Sequence, residues 1–283
     1  MIAAYLSLAK PRILILVVVT ALAAAIAAGQ GDVRLGTSVL LVLAGGLASA
    51  GASFLNNYFD RDIDAVMERT QNRPLPKGKV SPSRVLLGGL VLIAISFPVA
   101  LLINYVTALF ILTGALIYAA LYTLWLKRRT SLNIVFGGLS GGCAALAGWF
   151  AVTSQLSLIP VVIVLLLFLW TPSHFWSFAL VHQESYQKAS IPMLPVLAGA
   201  KQTSAFILLS TALLLPVSLL LYFLGPFREI YLVGAVILGV LFLGSSVRLW
   251  IQPGKDRAWN NFKFSGIYLL GLFVVMALDV LIQ

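Results

Sequence analysis

Charge is scarce in this chain. Only 10% of its 283 residues are Asp, Glu, Lys or Arg, while 60% are hydrophobic, and the mean hydropathy is +1.01. A soluble domain of this length cannot bury so much apolar surface, so a water-soluble globular fold is excluded. Cysteine is nearly absent: Cys143 is alone, which rules out an internal disulfide and any cysteine-built metal centre. Histidine occurs only at His174 and His182, and the acidic residues number nine against 19 Lys and Arg, a net charge of +10. Polar residues held in so small a number repay attention to where each one falls.

What is abundant is the long uncharged run. The apolar stretches predict nine membrane-spanning helices, at about 13–29, 35–58, 84–103, 106–126, 132–152, 156–180, 203–224, 230–250 and 262–282. Of the 19 Lys and Arg residues, 17 lie at the N-terminus, in the loops after the second, fourth, sixth and eighth runs, or at their flanks; only Arg34 and Arg228 fall on the other side. That alternation predicts an N-inside topology in a lipid bilayer and accounts for the positive charge without nucleic acid. The expectation is an all-α polytopic membrane protein forming a single domain over 1–283, with polar motif loops at about 56–83 and 181–202, both on the cytoplasmic side of the cell membrane.

Four of the nine acids sit in one stretch, Asn56-Asn57-Tyr58-Phe59-Asp60-Arg61-Asp62-Ile63-Asp64 followed by Glu68-Arg69 and Arg73-Pro74-Leu75-Pro76. If the second helix continues into this motif, Asn56, Asp60 and Asp64 fall at i, i+4 and i+8 on one face, and Asp62 points to the opposite side. Two carboxylates and an amide oxygen one turn apart are hard ligands suited to Mg²⁺ shared with a phosphate. The alternative is an ordinary solvated helix end. Arg69, Arg73, Lys77, Lys127 and Arg128 are candidates to hold the remaining phosphate oxygens. A lipid diphosphate fits such a site, with its tail among the helices. Departure of diphosphate from an allylic carbon leaves a cation that aromatic faces can stabilise, and Tyr118, Tyr122, Trp125, Trp170, Phe175 and Trp176 end near the same face. His174, late in the sixth run, is an ionisable group at membrane depth and a candidate for binding a second substrate; a histidine bonded to a backbone carbonyl is the alternative.

Asn56-x3-Asp60-x3-Asp64 with Arg73-Pro74-Leu75-Pro76 resembles the first motif of the intramembrane aromatic prenyltransferases. Tyr122-Thr123-Leu124-Trp125-Leu126-Lys127-Arg128-Arg129-Thr130, Trp170-Thr171-Pro172-x-His174-Phe175-Trp176 and Ile191-Pro192-Met193-Leu194-Pro195-Val196 narrow the likeness to the protoheme IX farnesyltransferase branch. The likeness runs from about Lys10 to about Gly199. It implies nine helices around a central cavity, Mg²⁺ and farnesyl diphosphate at its cytoplasmic mouth, and transfer of farnesyl to a vinyl group of heme B to give heme O. It also implies Asn56, Asp60 and Asp64 as metal and diphosphate residues, Arg73, Lys127 and Arg128 on the diphosphate, and His174, Trp176 and Tyr122 near the acceptor. A downstream heme-modifying enzyme or oxidase assembly is an implied partner. This chain departs from the branch where it has Ala144-Ala145 and Ser173 in place of prolines. Ser185 stands where the branch has an aspartate; Glu184 beside it is a candidate substitute metal ligand, and the alternative is a second loop that binds no metal. A quinone or phenol prenyltransferase, a transporter and a heme-binding assembly factor are the competing readings. The histidine and tyrosine at 182 and 186, in place of a second Asp-x3-Asp, favour the heme branch over the quinone one.

Overall fold

The computed structural model describes residues 2–155 and 157–283, so the expected start of the sixth span at Leu156 lies outside the described residues. Among the described residues the chain is helical, in the order α1 (Ile2–Leu8), α2 (Pro11–Ala28), α3 (Leu35–Phe59), α4 (Arg61–Val66), α5 (Pro82–Leu101) and α6 (Tyr105–Leu116). The α6 helix runs on as a π-helical segment, Ile117–Trp125, and a 3₁₀ turn, Leu126–Arg128. There follow α7 (Asn133–Gly137), α8 (Leu139–Phe150), α9 (Leu158–Val181), α10 (Gln183–Lys188), α11 (Leu194–Leu224), α12 (Glu229–Ile251) and α13 (Lys255–Leu281). Nine of these stretches among the described residues are long and apolar enough to cross a membrane, with α6 and its extension forming one and α7–α8 another. Leu87, Val233 and Phe223 point outward, where acyl chains would meet them.

The helices form a closed ring of neighbours. α2 packs on α3, α8 and α13; α3 packs on α5, α6 on α8, α8 on α9, and α9 on α11 and α13. Lipid gives no hydrophobic push between helices, so close backbone approach does the work. α2 therefore presents alanine: Ala23, Ala24, Ala25 and Ala27 are all buried. At the α2–α8 crossing a Cβ on Gly148 would stand 1.9 Å from the Ala21 carbonyl oxygen, so glycine is required there. Gly199, at φ +75°, kinks α11 near its start, a backbone geometry glycine adopts without strain.

Two spans begin earlier than hydropathy predicts. α11 starts at Leu194, where a short apolar turn precedes the Gly199 kink and the polar Lys201-Gln202, and α13 starts at Lys255, where polar first turns are still helical outside the apolar run. Asp279, near the end of α13, is buried and accepts hydrogen bonds from the backbone N–H of Arg228 (2.6 Å) and of Tyr231 (3.1 Å). A carboxylate from the last helix thus caps the N-terminus of α12, where free N–H groups and the helix dipole favour negative charge.

Candidate active site

The polar cluster forms where the start of α2, the end of α3 and the end of the π-helical segment meet. α3 stops at Phe59, Asp60 takes φ −90° and ψ 3°, and α4 resumes the turn. The i→i−4 ladder nevertheless continues: the Asp60 N–H donates to Asn56 O (3.0 Å) and the Asp64 N–H to Asp60 O (2.7 Å). Asn56, Asp60 and Asp64 consequently share the buried side, at 3%, 1% and 3% exposure, while the Asp62 side chain is 62% exposed and forms a bidentate pair with Arg128. The opposite-face expectation for Asp62 holds. Its carboxyl is pushed down to about 2, chiefly by that guanidinium.

Each buried acid has a cation. Lys127 Nζ donates to Asp60 Oδ2 at 2.5 Å, and Arg73 Nη1 to Asp64 Oδ2 at 2.7 Å. Asn56 Nδ2 donates both to Asp60 Oδ2 and to Thr123 Oγ1, each at 2.9 Å, and Asn56 Oδ1 accepts from Lys10 Nζ. Lys10, at the left-handed turn into α2, also donates to Tyr118 Oη (3.2 Å). Burial, then the nearby Arg73 and Lys127 charges, push the Lys10 amine down to about 7. Sequence reasoning missed Lys10 and Thr123. Lys10-Pro11-Arg12 reads as a basic flank of a first span, and Thr123 stands in a motif with no role assigned to it.

The π-helical segment explains Thr123. Its hydroxyl donates to the Tyr118 carbonyl, five residues back, at 2.7 Å, and so leaves its lone pair for Asn56. π turns recur at functional sites because they re-aim side chains within a helix. Here the extra residue per turn brings Tyr118, Tyr122, Thr123 and Lys127 to one side; the two tyrosine rings stack at 5.8 Å. Tyr122 and Tyr118 then pack with Ile63, Met67 and Phe175, which joins the acidic motif to α9.

A buried carboxylate oxygen remains open. Asp60 Oδ1 is sealed from solvent and has no hydrogen-bond partner among the described residues, although an unpaired buried acceptor is costly. With Asp64 and Asn56 it makes an all-oxygen donor set in a ring of cations, which fits Mg²⁺. Other expected residues lie elsewhere. Arg69 and Lys77 are exposed, Arg69 with its guanidinium 5.0 Å from the Phe178 ring. Glu184 is not brought to the cluster: it is 71% exposed and pairs with Lys255 at 2.8 Å, which holds its carboxyl low. Trp176 is not brought there either, and packs among Leu180, Ile207, Leu249 and Ala258. His174 is stacked 4.3 Å from Trp170, and its Nδ1 lies 2.6 Å from Ser265 Oγ. His182 is half-buried, and burial with the nearby Arg69 and Lys255 charges pushes its imidazole down. Ser173, in place of a family proline, bonds Thr211 Oγ1 (2.8 Å) and donates to Ile207 O (3.1 Å), tying α9 to α11.

Nine apolar spans among the described residues, with a buried Asn-Asp-Asp face ringed by cations and flanked by stacked tyrosines, define an integral membrane enzyme of the prenyltransferase class. The chain belongs to the UbiA prenyltransferase family, whose model matches residues 17–270. It is 43% identical to the protoheme IX farnesyltransferase of Symbiobacterium thermophilum over 278 residues, 98% of this chain and 93% of that protein. It is 44% identical to protoheme IX farnesyltransferase 1 of Cenarchaeum symbiosum, across 97% of this chain and 94% of that one. Among solved structures, that of a digeranylgeranylglyceryl phosphate synthase superposes with a TM-score of 0.82 at 21% identity, covering 100% of this chain and 99% of the other. A UbiA homolog from Archaeoglobus fulgidus bound to GPP and Mg²⁺ superposes with a TM-score of 0.70 at 18% identity, covering 96% and 99%. These two share the fold.

Proposed function

We propose that this prenyltransferase moves a farnesyl group from farnesyl diphosphate to a vinyl group of heme B, with addition of water, giving heme O and diphosphate. The donor half rests on one observation, the open Asp60 Oδ1 on a buried face shared with Asn56 and Asp64. The acceptor half rests on likeness to relatives named for that reaction, at 40–44% identity over nearly the whole chain.

Asn56, Asp60 and Asp64 would hold Mg²⁺, which when bound neutralises diphosphate oxygens and makes diphosphate a better leaving group. Lys127 and Arg73, held 2.5 and 2.7 Å from Asp60 and Asp64, would be free to meet the diphosphate once those carboxylates held the metal. Both then carry their charge to the diphosphate, Arg73 as a two-pronged donor and Lys127 as a point charge. Lys10, freed from Asn56 Oδ1, adds a third cation. Arg69, Lys77 and Arg128 stand on the exposed rim, where they steer the anionic donor inward. As the allylic C–O bond breaks, the faces of Tyr118 and Tyr122 stabilise the carbocation. The terminal vinyl carbon then bonds to it, and water adds beside the porphyrin ring and loses a proton. The helices keep water out until the carbon–carbon bond has formed. We place this site at the cytoplasmic face of the cell membrane, on the side where the basic loops collect.

The test is product identification. Purified protein with Mg²⁺ is given heme B or a quinone precursor, with prenyl diphosphates of several lengths, and products are read by mass. Heme O from farnesyl diphosphate is expected; a prenylated quinone in its place overturns the acceptor.

A further inference from the structure

Ser265 does two things at one point of α13. Its carbonyl accepts from Trp170 Nε1 at 2.7 Å, and its hydroxyl lies 2.6 Å from both Phe262 O and His174 Nδ1. A carbonyl oxygen only accepts, so the single hydroxyl proton goes to Phe262. The Ser265 oxygen can then only accept, and the proton in its contact with His174 belongs to Nδ1. No carboxylate pairs with His174 among the described residues, so nothing there supports an imidazolium. A neutral imidazole with hydrogen on Nδ1 carries a bare lone pair on Nε2. Among the described residues Nε2 has no hydrogen-bond partner, and it is not one of the sealed buried atoms that lack one. The ring plane is fixed as well, between Trp170 at 4.3 Å and Phe262 at 4.4 Å.

The geometry points to His174 Nε2 as an axial ligand for the iron of a porphyrin substrate, with Ser265 as the positioning residue that sets its tautomer. This deepens the reading of heme B as acceptor and rests on it. The other role open to a histidine, donating a hydrogen bond to a propionate, needs a proton on Nε2 that this arrangement withholds. Histidine metal ligands commonly give their second ring N–H to an acceptor, which fixes the ring and raises its basicity; here that acceptor is a serine oxygen. The site also adjoins the diphosphate loop. Trp170, His174 and Phe178 follow at intervals of four residues along one face of α9, Phe178 lies 5.1 Å from Phe262, and Arg69 sits over Phe178 at 5.0 Å. His174 therefore lies about two turns from the end of α9 that meets the acidic motif.

Ferrous heme B bound to the purified, detergent-solubilised chain is examined by resonance Raman spectroscopy. The wild type is expected to show an iron–histidine stretching band. His174→Ala should lose that band and regain one with added imidazole, while still binding Mg²⁺ and farnesyl thiodiphosphate. Ser265→Ala should move the band to lower frequency and weaken heme binding about 10–100-fold; Ser265→Thr, which keeps the acceptor oxygen, should restore both. A wild-type spectrum without the band overturns the assignment whether or not any variant folds. An unchanged band in His174→Ala does the same, and an unchanged band and affinity in Ser265→Ala removes the tautomer role. Heme O formation by a wild type lacking the band sinks this inference alone, whereas a wild type that binds no heme and prenylates a quinone sinks the reading beneath it.

Discussion

Replacing Asp60 by Asn keeps the shape of the side chain and removes its charge. In the wild type Asp60 Oδ2 accepts from Lys127 Nζ at 2.5 Å and Asn56 Nδ2 at 2.9 Å, with side-chain exposures of 2% for Asp60 and 11% for Lys127. The variant strands the lysine charge beside Asn56 and Thr123. Breaking such a buried pair from one side costs about 3–5 kcal/mol, mostly the penalty of the charge left behind. Removing the second partner relieves that penalty, so Asp60→Asn/Lys127→Met should recover most of the lost stability, with a coupling of about 2–3 kcal/mol in the double-mutant cycle. Activity should not follow. The variant lacks the open carboxylate oxygen, and turnover should fall at least about 10²–10³-fold in the single and the double change alike. Denaturant unfolding in detergent reads the stability, and diphosphate release reads the turnover. The reasoning is refuted if the double variant is as unstable as Asp60→Asn, or if either variant turns over at the wild-type rate.

Asp62→Asn should retain turnover and shift stability by less than about 1 kcal/mol, because its pair with Arg128 is exposed on both sides; a loss matching Asp60→Asn would contradict the one-face geometry. Glu184→Gln should leave the Mg²⁺ dependence of turnover unchanged, since this exposed side chain is tied to Lys255; a weakened Mg²⁺ response would return it to the metal site. In a Cys143→Ser background, single cysteines at Gln71 and Gln187 should resist membrane-impermeant reagents added outside intact cells. Labelling of either from outside would reverse the topology.

The spans were legible because a bilayer demands about 20 apolar residues per helix, and hydropathy counts those directly. The acidic face was legible because Asn56, Asp60 and Asp64 are close in sequence and helix period alone aligns them. What hydropathy cannot read is pairing between distant helices. Lys10 meets Asn56 across 46 residues, Thr123 meets it across 67, and Ser265 meets His174 across 91. The π-helical turn that aims Thr123 carries no proline or glycine to announce it. The pairing of Glu184 with Lys255, 71 residues on, is equally invisible to hydropathy. Asp279 meets the N-terminus of α12 in the same way, across 51 and 48 residues.

The most direct test of the central claim, that the buried Asn56–Asp60–Asp64 face is where metal meets diphosphate, is pulsed electron paramagnetic resonance. Mn²⁺ stands in for Mg²⁺, and farnesyl thiodiphosphate serves as the unreactive donor. The wild type should show manganese coupled to phosphorus, and Asp60→Asn/Lys127→Met, chosen to fold, should lose that coupling. The same coupling at undiminished strength in the double variant would contradict the account.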